Sequence, residues 1–104
     1  MKGIGIDIVS VSRLSDKVAD KILSKKEMAE FNSYLKTDRE RAMEFLGGRL
    51  AAKEAYLKFI GTGLKGGISS LSITPDGNKF ANNKDVIIKY SNELPDAVTC
   101  VVYK

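Results

Sequence analysis

The residues best suited to chemistry lie in one segment of the chain and near its start. Glu54 and Lys58 are four residues apart, so a helix would place both side chains on one face. Arg49 and Lys53 repeat that spacing, which makes the segment strongly basic around one carboxylate. A second acid, Asp7, stands in an apolar, glycine-containing stretch. Taken alone, Glu54 and Lys58 are also typical of an ordinary surface ion pair.

Asp7 and Glu54 together would supply two hard oxygen ligands, which is too few to enclose a metal ion. This donor set is typical of Mg²⁺, which keeps several waters and takes further ligands from substrate phosphates. The neighbouring Lys and Arg side chains would neutralise those phosphates. The residues therefore favour Mg²⁺-assisted chemistry on a phosphate-bearing substrate.

The composition excludes several other kinds of site. The sequence has no histidine, which removes Ser-His and Cys-His nucleophile pairs, His-ligated zinc and His acid–base chemistry. One cysteine is too few for a disulfide framework or a Cys-rich metal site. With 17 basic and 13 acidic residues, the net charge of +4 suits a phosphate-bearing ligand, an acidic protein or nucleic acid. We do not expect nucleic-acid binding, because the chain lacks the interleaved aromatics and dense basic clusters that it commonly uses.

The length of 104 residues predicts a single domain over residues 1–104. No apolar run approaches the roughly 20 residues that span a bilayer. Gly3, Gly5 and Asp7 interrupt the charged-then-apolar layout of a signal peptide. We therefore expect a cytoplasmic protein that does not bind membranes.

The first part of the chain predicts a strand followed by a basic helix. In Gly3–Val9, three isoleucines alternate with Gly5 and Asp7, so the isoleucines share one face of the strand. A helix is expected over Ser12–Leu23. Its Arg13, Lys17 and Lys21 recur every four residues, which is typical of a solvated face and also suits a dock for an acidic partner.

The rest of the chain predicts two more helices and a small sheet. Ser24 and Glu27 have the spacing of a capping box, so a second helix begins there, and a long third helix covers Arg39–Ile60. Gly61-x-Gly63-x-x-Gly66 matches a dinucleotide motif, but it follows a helix rather than a strand, so helix capping and a loop explain it better. Strands are expected at Ser70–Thr74, Val86–Tyr90 and Ala97–Tyr103. The fold class is α+β, with a small antiparallel sheet packed with a long helix and shorter helices.

Three blocks of sequence together carry a family resemblance. They are Gly3-Ile-Gly-Ile-Asp7-Ile-Val, Glu44-Phe-Leu-Gly-Gly-Arg49-Leu-Ala-Ala-Lys-Glu54-Ala-Tyr-Leu-Lys58 and Gly61-Thr-Gly63. In this order and spacing they resemble the holo-[acyl-carrier-protein] synthases, the small bacterial class of 4′-phosphopantetheinyl transferases. The resemblance implies the fold of that family and an enzyme that transfers 4′-phosphopantetheine from coenzyme A to a serine of apo acyl carrier protein. Adenosine 3′,5′-bisphosphate would be released.

The resemblance also implies roles for individual residues. Asp7 and Glu54 would hold Mg²⁺ on the pyrophosphate of coenzyme A, and Lys58 would act catalytically beside the phosphates. Glu54 or a metal-bound water would take the serine proton, and the sequence leaves both open. The residues expected to contact coenzyme A are Arg49, Lys53, Gly61, Gly63, Ser91 and Asn92.

The same resemblance predicts the partners. Arg13 matches an arginine that contacts the acidic carrier protein, so Arg13, Lys17 and Lys21 are expected to form the docking face for it. Family members are homotrimers with active sites between neighbouring subunits. A chain this short would complete its coenzyme A pocket with residues from a neighbour.

Two positions of one motif depart from the family pattern. Asn92 stands where the family has a histidine in a Ser-x-Ser-His motif, and Lys89 replaces the first serine. Asn donates a hydrogen bond but carries no charge and is not an acid near neutral pH. We expect an active enzyme with weaker coenzyme A binding. The alternative is a non-catalytic relative that binds coenzyme A or acyl carrier protein.

Overall fold

The computed structural model describes residues 3–61, 66–92 and 96–104. The regular elements, in chain order, are β1 (Ile4–Ser10), α1 (Ala19–Ile22), α2 (Lys25–Thr37), α3 (Arg39–Ile60), β2 (Ile87–Ser91) and β3 (Ala97–Tyr103). Short 3₁₀ turns occupy Val11–Arg13, Asp16–Val18 and Ile68–Ser70. This arrangement confirms the α+β class.

The three strands form an antiparallel sheet in the order β1-β3-β2. In the β1–β3 pair Asp7 lies opposite Cys100, and in the β2–β3 pair Tyr90 lies opposite the same cysteine. Side chains directly opposite each other share one face of a sheet. Helix α3 packs across this face, where it buries alanines and aromatic rings against the strands. The other face of the sheet is called the outer face below.

The two long helices begin and end where the sequence predicts. The hydroxyl of Ser24 accepts the backbone N–H of Glu27, whose carboxylate accepts the backbone N–H of Ser24, so the capping box of α2 is confirmed. Helix α3 runs over Arg39–Ile60 and ends at Gly61, which has a φ of 74°. Glycine adopts this left-handed conformation without the steric cost that a Cβ brings.

The prediction of one helix over Ser12–Leu23 is wrong. The chain there forms two 3₁₀ turns and the short α1, because Leu14 and Ser15 adopt extended backbone angles. The hydroxyl of Ser15 accepts the backbone N–H of Lys17 and so starts the second turn. Serine competes for backbone hydrogen bonds in this way and disfavours the interior of a helix.

The predicted strand at Ser70–Thr74 is also wrong. A 3₁₀ turn covers Ile68–Ser70, and Ile73 makes only an isolated bridge to Phe80. The carbonyl of Thr74 accepts the backbone N–H of Gly77, so the chain turns before a strand can extend. None of the helices in the described part of the chain is long and apolar enough to cross a membrane.

Candidate functional site

A glycine in β1 sets how closely the sheet approaches α3. A Cβ built on Gly5 would lie 1.8 Å from the carbonyl oxygen of Ala55 and 2.8 Å from the backbone nitrogen of Phe59. Such distances leave no room for a side chain. The absence of a Cβ therefore brings the backbone of β1 directly onto α3, close to the residues expected to do chemistry.

This close approach joins Asp7 to Lys58. The Lys58 amine donates hydrogen bonds to the carbonyl oxygen of Ile6 at 3.0 Å and to Oδ1 of Asp7 at 3.1 Å. The Asp7 side chain is 18% exposed and the Lys58 side chain is 59% exposed, so the pair lies at the surface. Asp7 and Lys58, which are 51 positions apart in the sequence, thus lie in contact, as a shared site would require.

Glu54 lies one helical turn before Lys58 on α3 and is half-buried. Within the part of the chain that the structure describes, no three Asp, Glu or Cys side chains gather to hold a metal ion by themselves. Asp7 and Glu54 are thus oxygen donors at the surface that would need oxygens from a substrate and from water to complete a coordination sphere. This set fits Mg²⁺, which binds through one or two carboxylates and substrate phosphates.

Lys53 occupies the interior between α3 and α2. Its amine donates hydrogen bonds to the carbonyl oxygen of Ile22 at 2.6 Å and to Oε1 of Glu27 at 2.5 Å, and the side chain is 0% exposed. Burial lowers the pKa of Lys53, while the hydrogen bond and negative charge of Glu27 oppose that shift. The predicted contact between Lys53 and coenzyme A is therefore wrong, because the amine is enclosed as the partner of Glu27.

Arg49 lies on the same side of α3 but reaches a groove. Its guanidinium stacks on the Phe45 ring at 4.5 Å, and one terminal nitrogen donates a hydrogen bond to the Tyr90 hydroxyl at 3.3 Å. The residue is 8% exposed, yet it lines a groove of about 360 Å³. Burial raises the pKa of Tyr90 to about 12.

The remaining residues that the resemblance predicts as coenzyme A contacts differ in their exposure and contacts. They are Ser91, Asn92, Gly61 and Gly63. Asn92 is exposed at the end of β2 and lines the groove beside Arg49, as a ligand contact would require. Ser91 is exposed, and its backbone oxygen accepts a hydrogen bond from Thr99. Gly61 caps α3, and Gly63 lies outside the described residues.

The predicted docking residues Arg13, Lys17 and Lys21 are all exposed. They lie in the two 3₁₀ turns and α1 rather than along one helix, so they do not form the regular stripe that the spacing predicted. The local backbone therefore spreads the three basic residues over three short elements, with the exposed acids Asp16 and Asp20 among them.

A family model of the "4'-phosphopantetheinyl transferase superfamily" matches residues 3–97. The chain belongs to this superfamily. A holo-[acyl-carrier-protein] synthase from Staphylococcus aureus is 41% identical over 68 residues, which is 60% of this chain and 56% of that protein. The match thus spans little more than half the length of this curated relative of the superfamily.

Solved structures extend the likeness over nearly the whole chain. The holo-(acyl-carrier-protein) synthase of Bacillus anthracis, solved in complex with coenzyme A (3′,5′-ADP), has a TM-score of 0.75 and 27% identity. That comparison covers 97% of this chain and 93% of the other. The synthase of Neisseria meningitidis has a TM-score of 0.70 and 26% identity, and covers 100% of this chain and 98% of the other.

The sequence pattern does not predict two residues of this site. The sequence predicts a strand at Tyr90, and the alternation of Tyr90 with Lys89 and Ser91 is the signal that places its side chain on the α3 side of the sheet. Glu27 was recognised as half of a capping box, and nothing in its spacing indicates that it also meets two basic residues of α3. Tyr90 lines the groove, and Glu27 lies beside Arg49 and Lys53.

Proposed function

We propose that this protein transfers the 4′-phosphopantetheine group of coenzyme A to a serine of an apo acyl carrier protein. The observation that carries the proposal is the meeting of Asp7 with Lys58, one turn from Glu54, at the surface of a member of this superfamily. The names of the relatives and the coenzyme A bound to the Bacillus anthracis enzyme support the same substrates.

The reaction breaks the phosphoanhydride bond of coenzyme A and forms a phosphate ester bond to serine. The serine oxygen forms a bond to the phosphorus that carries the pantetheine arm, and the bond from that phosphorus to the bridging oxygen breaks. Adenosine 3′,5′-bisphosphate leaves with the bridging oxygen. The serine proton passes to a base, which is either the Glu54 carboxylate or a water molecule.

Three side chains of this chain would act on the pyrophosphate. Lys58 would place its ammonium beside the phosphate oxygens, where negative charge on the leaving group increases during the reaction. Asp7 and Glu54 would hold Mg²⁺, which supplies charge neutralisation on the phosphoryl oxygens when bound. Asp7 also orients the Lys58 amine through the hydrogen bond at 3.1 Å.

The groove beside Arg49 would bind another part of coenzyme A. The guanidinium of Arg49 would pair with a phosphate of coenzyme A there, together with that of Arg41, which also lines the groove. Asn92 offers an amide donor at the same groove. The proposal includes Arg13, Lys17 and Lys21 as the surface that meets the acidic carrier protein.

We propose further that the enzyme is a homotrimer with its active sites between subunits. The outer face of the sheet exposes an apolar row, since Ile4, Ile6 and Ile8 are 48%, 54% and 58% exposed. Their partners on β3 are Tyr103, Val101 and Thr99. A contiguous apolar face of this kind is typical of an association surface.

The positions of the two candidate subsites support a shared active site. Asp7 lies on β1 at one edge of the sheet, and Tyr90, the partner of Arg49, lies on β2 at the opposite edge. If subunits pack through their outer faces, the β1 edge of one subunit can face the β2 edge of the next.

Ile6→Lys should therefore give a monomer by light scattering and reduce transfer, whereas Asn32→Lys on the exposed side of α2 should do neither. A wild-type protein that is fully active as a monomer would overturn the trimer.

The test of the activity is mass spectrometry of apo acyl carrier protein after incubation with the protein, coenzyme A and Mg²⁺. The expected result is a carrier protein heavier by one phosphopantetheine group. Asp7→Asn, Glu54→Gln and Lys58→Met should each reduce the rate about 100-fold or more. The matched controls Asp85→Asn and Lys84→Met change exposed residues before β2 and should keep the wild-type rate.

Two outcomes would change the proposal. If coenzyme A binds in calorimetry but no carrier protein gains mass, the chain is a non-catalytic relative that binds coenzyme A. If transfer occurs but the Asp7 and Glu54 variants keep the wild-type rate, the assignment of these carboxylates as metal ligands is wrong.

A further inference from the structure

Glu27 is a buried carboxylate that joins three parts of the chain. Its Oε1 accepts the backbone N–H of Ser24 at 2.9 Å and the amine of Lys53 at 2.5 Å. Its Oε2 accepts the backbone N–H of Ile73 at 3.0 Å and lies 3.8 Å from Nε of Arg49. The Glu27 side chain is 4% exposed, so one carboxylate holds the start of α2, two residues of α3 and the chain before β2 together.

Stability alone does not explain this arrangement. Removing charges from water is costly, and a buried ion pair often stabilises a protein no more than apolar residues of the same volume do. Here one acid faces two cations, and burial lowers the pKa of Lys53 even with Glu27 beside it. Of the three charged residues in the cluster, only Arg49 lines the groove.

The neighbours of Arg49 hold its guanidinium in one orientation. Nε points towards Glu27 without making a hydrogen bond, while a terminal nitrogen is bound to the Tyr90 hydroxyl. The Phe45 ring covers one side. On another side lies Gly77, where an added Cβ would be 3.7 Å from the same terminal nitrogen. A long side chain with many rotamers is thus confined at the floor of the groove.

We infer that Glu27 is a positioning residue for ligand binding, which acts by fixing the guanidinium of Arg49 in the groove. Lys53 balances the charge of Glu27, so the guanidinium is held in place while its own positive charge stays available to a phosphate. This inference rests on the proposed function, because the ligand that Arg49 would meet is coenzyme A.

The test is a double-mutant cycle on coenzyme A binding, measured by calorimetry. Glu27→Gln alone would leave Lys53 as an uncompensated buried cation, so Glu27→Gln is combined with Lys53→Met. With Arg49 present, the combined variant should raise the Kd for coenzyme A about tenfold. In an Arg49→Gln background the same pair of changes should alter Kd less than about twofold.

The cycle separates positioning from a general loss of structure. Equal effects in both backgrounds, or no effect with Arg49 present, would overturn the inference. If the combined variant does not fold, Glu27→Asp replaces it, because this change keeps the charge but draws the carboxylate back from Arg49, and an intermediate Kd is expected. Asp16→Asn, which removes the acid of an exposed ion pair with Arg39, should leave Kd unchanged in both backgrounds.

A second measurement does not need coenzyme A. The sequence has four arginines, so the Nε–H signals are few in a ¹⁵N-edited NMR spectrum, and Arg49→Lys assigns the one of interest. The signal of Arg49 should lie apart from that of free arginine in the wild type and move towards it in the combined variant. An unmoved signal would overturn the inference, whereas failure of wild-type protein to bind coenzyme A would overturn the proposed function only.

Discussion

Gly5→Ala should separate the sheet from α3 and disable the site that their contact creates. The added Cβ would lie 1.8 Å from the carbonyl oxygen of Ala55 and 2.9 Å from its carbonyl carbon. Ordinary contacts of a Cβ begin near 3.4 Å, so β1 would have to move by about 1.6 Å. Both opposing atoms belong to the helix backbone, and neither can rotate away as a side chain would.

The cost follows from this geometry. Overpacking a well-packed interior costs about 1–3 kcal/mol, and a clash with backbone atoms belongs at the upper end of that range. For a domain of this size, about 3 kcal/mol corresponds to a fall in Tm of roughly 12–24 °C. Because Asp7 lies two residues beyond Gly5, the same displacement would lengthen its 3.1 Å hydrogen bond with Lys58. The transfer rate should therefore fall even at temperatures where the variant is folded.

The assay is thermal unfolding followed by circular dichroism, together with transfer to the carrier protein well below Tm. Gly48→Ala is the matched control, since its Cβ would meet only the Tyr90 ring, at an ordinary distance of 3.6 Å. Alanine also favours a helix over glycine by up to about 1 kcal/mol, so the control should be as stable as the wild type or more stable. A Gly5→Ala protein with the wild-type Tm would refute the reasoning.

Two further predictions concern the capping box and the only cysteine of the sequence. Ser24→Ala removes the hydroxyl that accepts the backbone N–H of Glu27. It should lower the free energy of unfolding, measured in guanidinium chloride, by about 1 kcal/mol. An unchanged free energy of unfolding would show that the cap does not stabilise the protein. Burial, with a smaller contribution from the charge of Asp7, raises the pKa of Cys100 to about 12. As the pH rises from about 9, the thiol of the unfolded chain therefore loses its proton before the thiol of the folded protein does. The stability that this group confers is lost above that pH. Cys100→Ala should therefore reduce the fall of the unfolding midpoint between pH 9 and 11. An identical pH profile in the variant would contradict this prediction.

Local patterns were enough to predict most of the fold. The inward-facing apolar residues and the glycines that follow them predict helix α3 over Arg39–Ile60, and the capping box at Ser24 predicts α2. Strand β3 was likewise predicted over Ala97–Tyr103. The two helices carry their own end signals, the capping box before α2 and Gly61 after α3. Ser12–Leu23 has an apolar period suited to a helix, yet the hydroxyl of Ser15 and the extended angles at Leu14 and Ser15 break it.

The site could be predicted where the sequence pattern of β1 and that of α3 each pointed to it. Gly5 and Asp7 in one strand, and Glu54 and Lys58 on one helical face, indicated a shared role, and the structure brings Asp7 and Lys58 within 3.1 Å. Spacing could not separate Lys58 from Lys53, because both are basic residues four positions after another charged residue of the same helix. Their environments depend on which element packs against each side of the helix.

The two pairs on α3 show how equal spacing leads to unequal roles. Residues 53 and 54 are about 100° apart around a helix, so Arg49 and Lys53 face α2 while Glu54 and Lys58 face β1. On the β1 side the helix lies at the surface, and a lysine there stays solvated and free to meet a phosphate. On the α2 side the lysine is enclosed, and a buried cation requires an acid. Glu27 supplies it from 26 positions earlier in the sequence, and in the proposed arrangement the same carboxylate holds Arg49 in the groove, where a ligand can reach it.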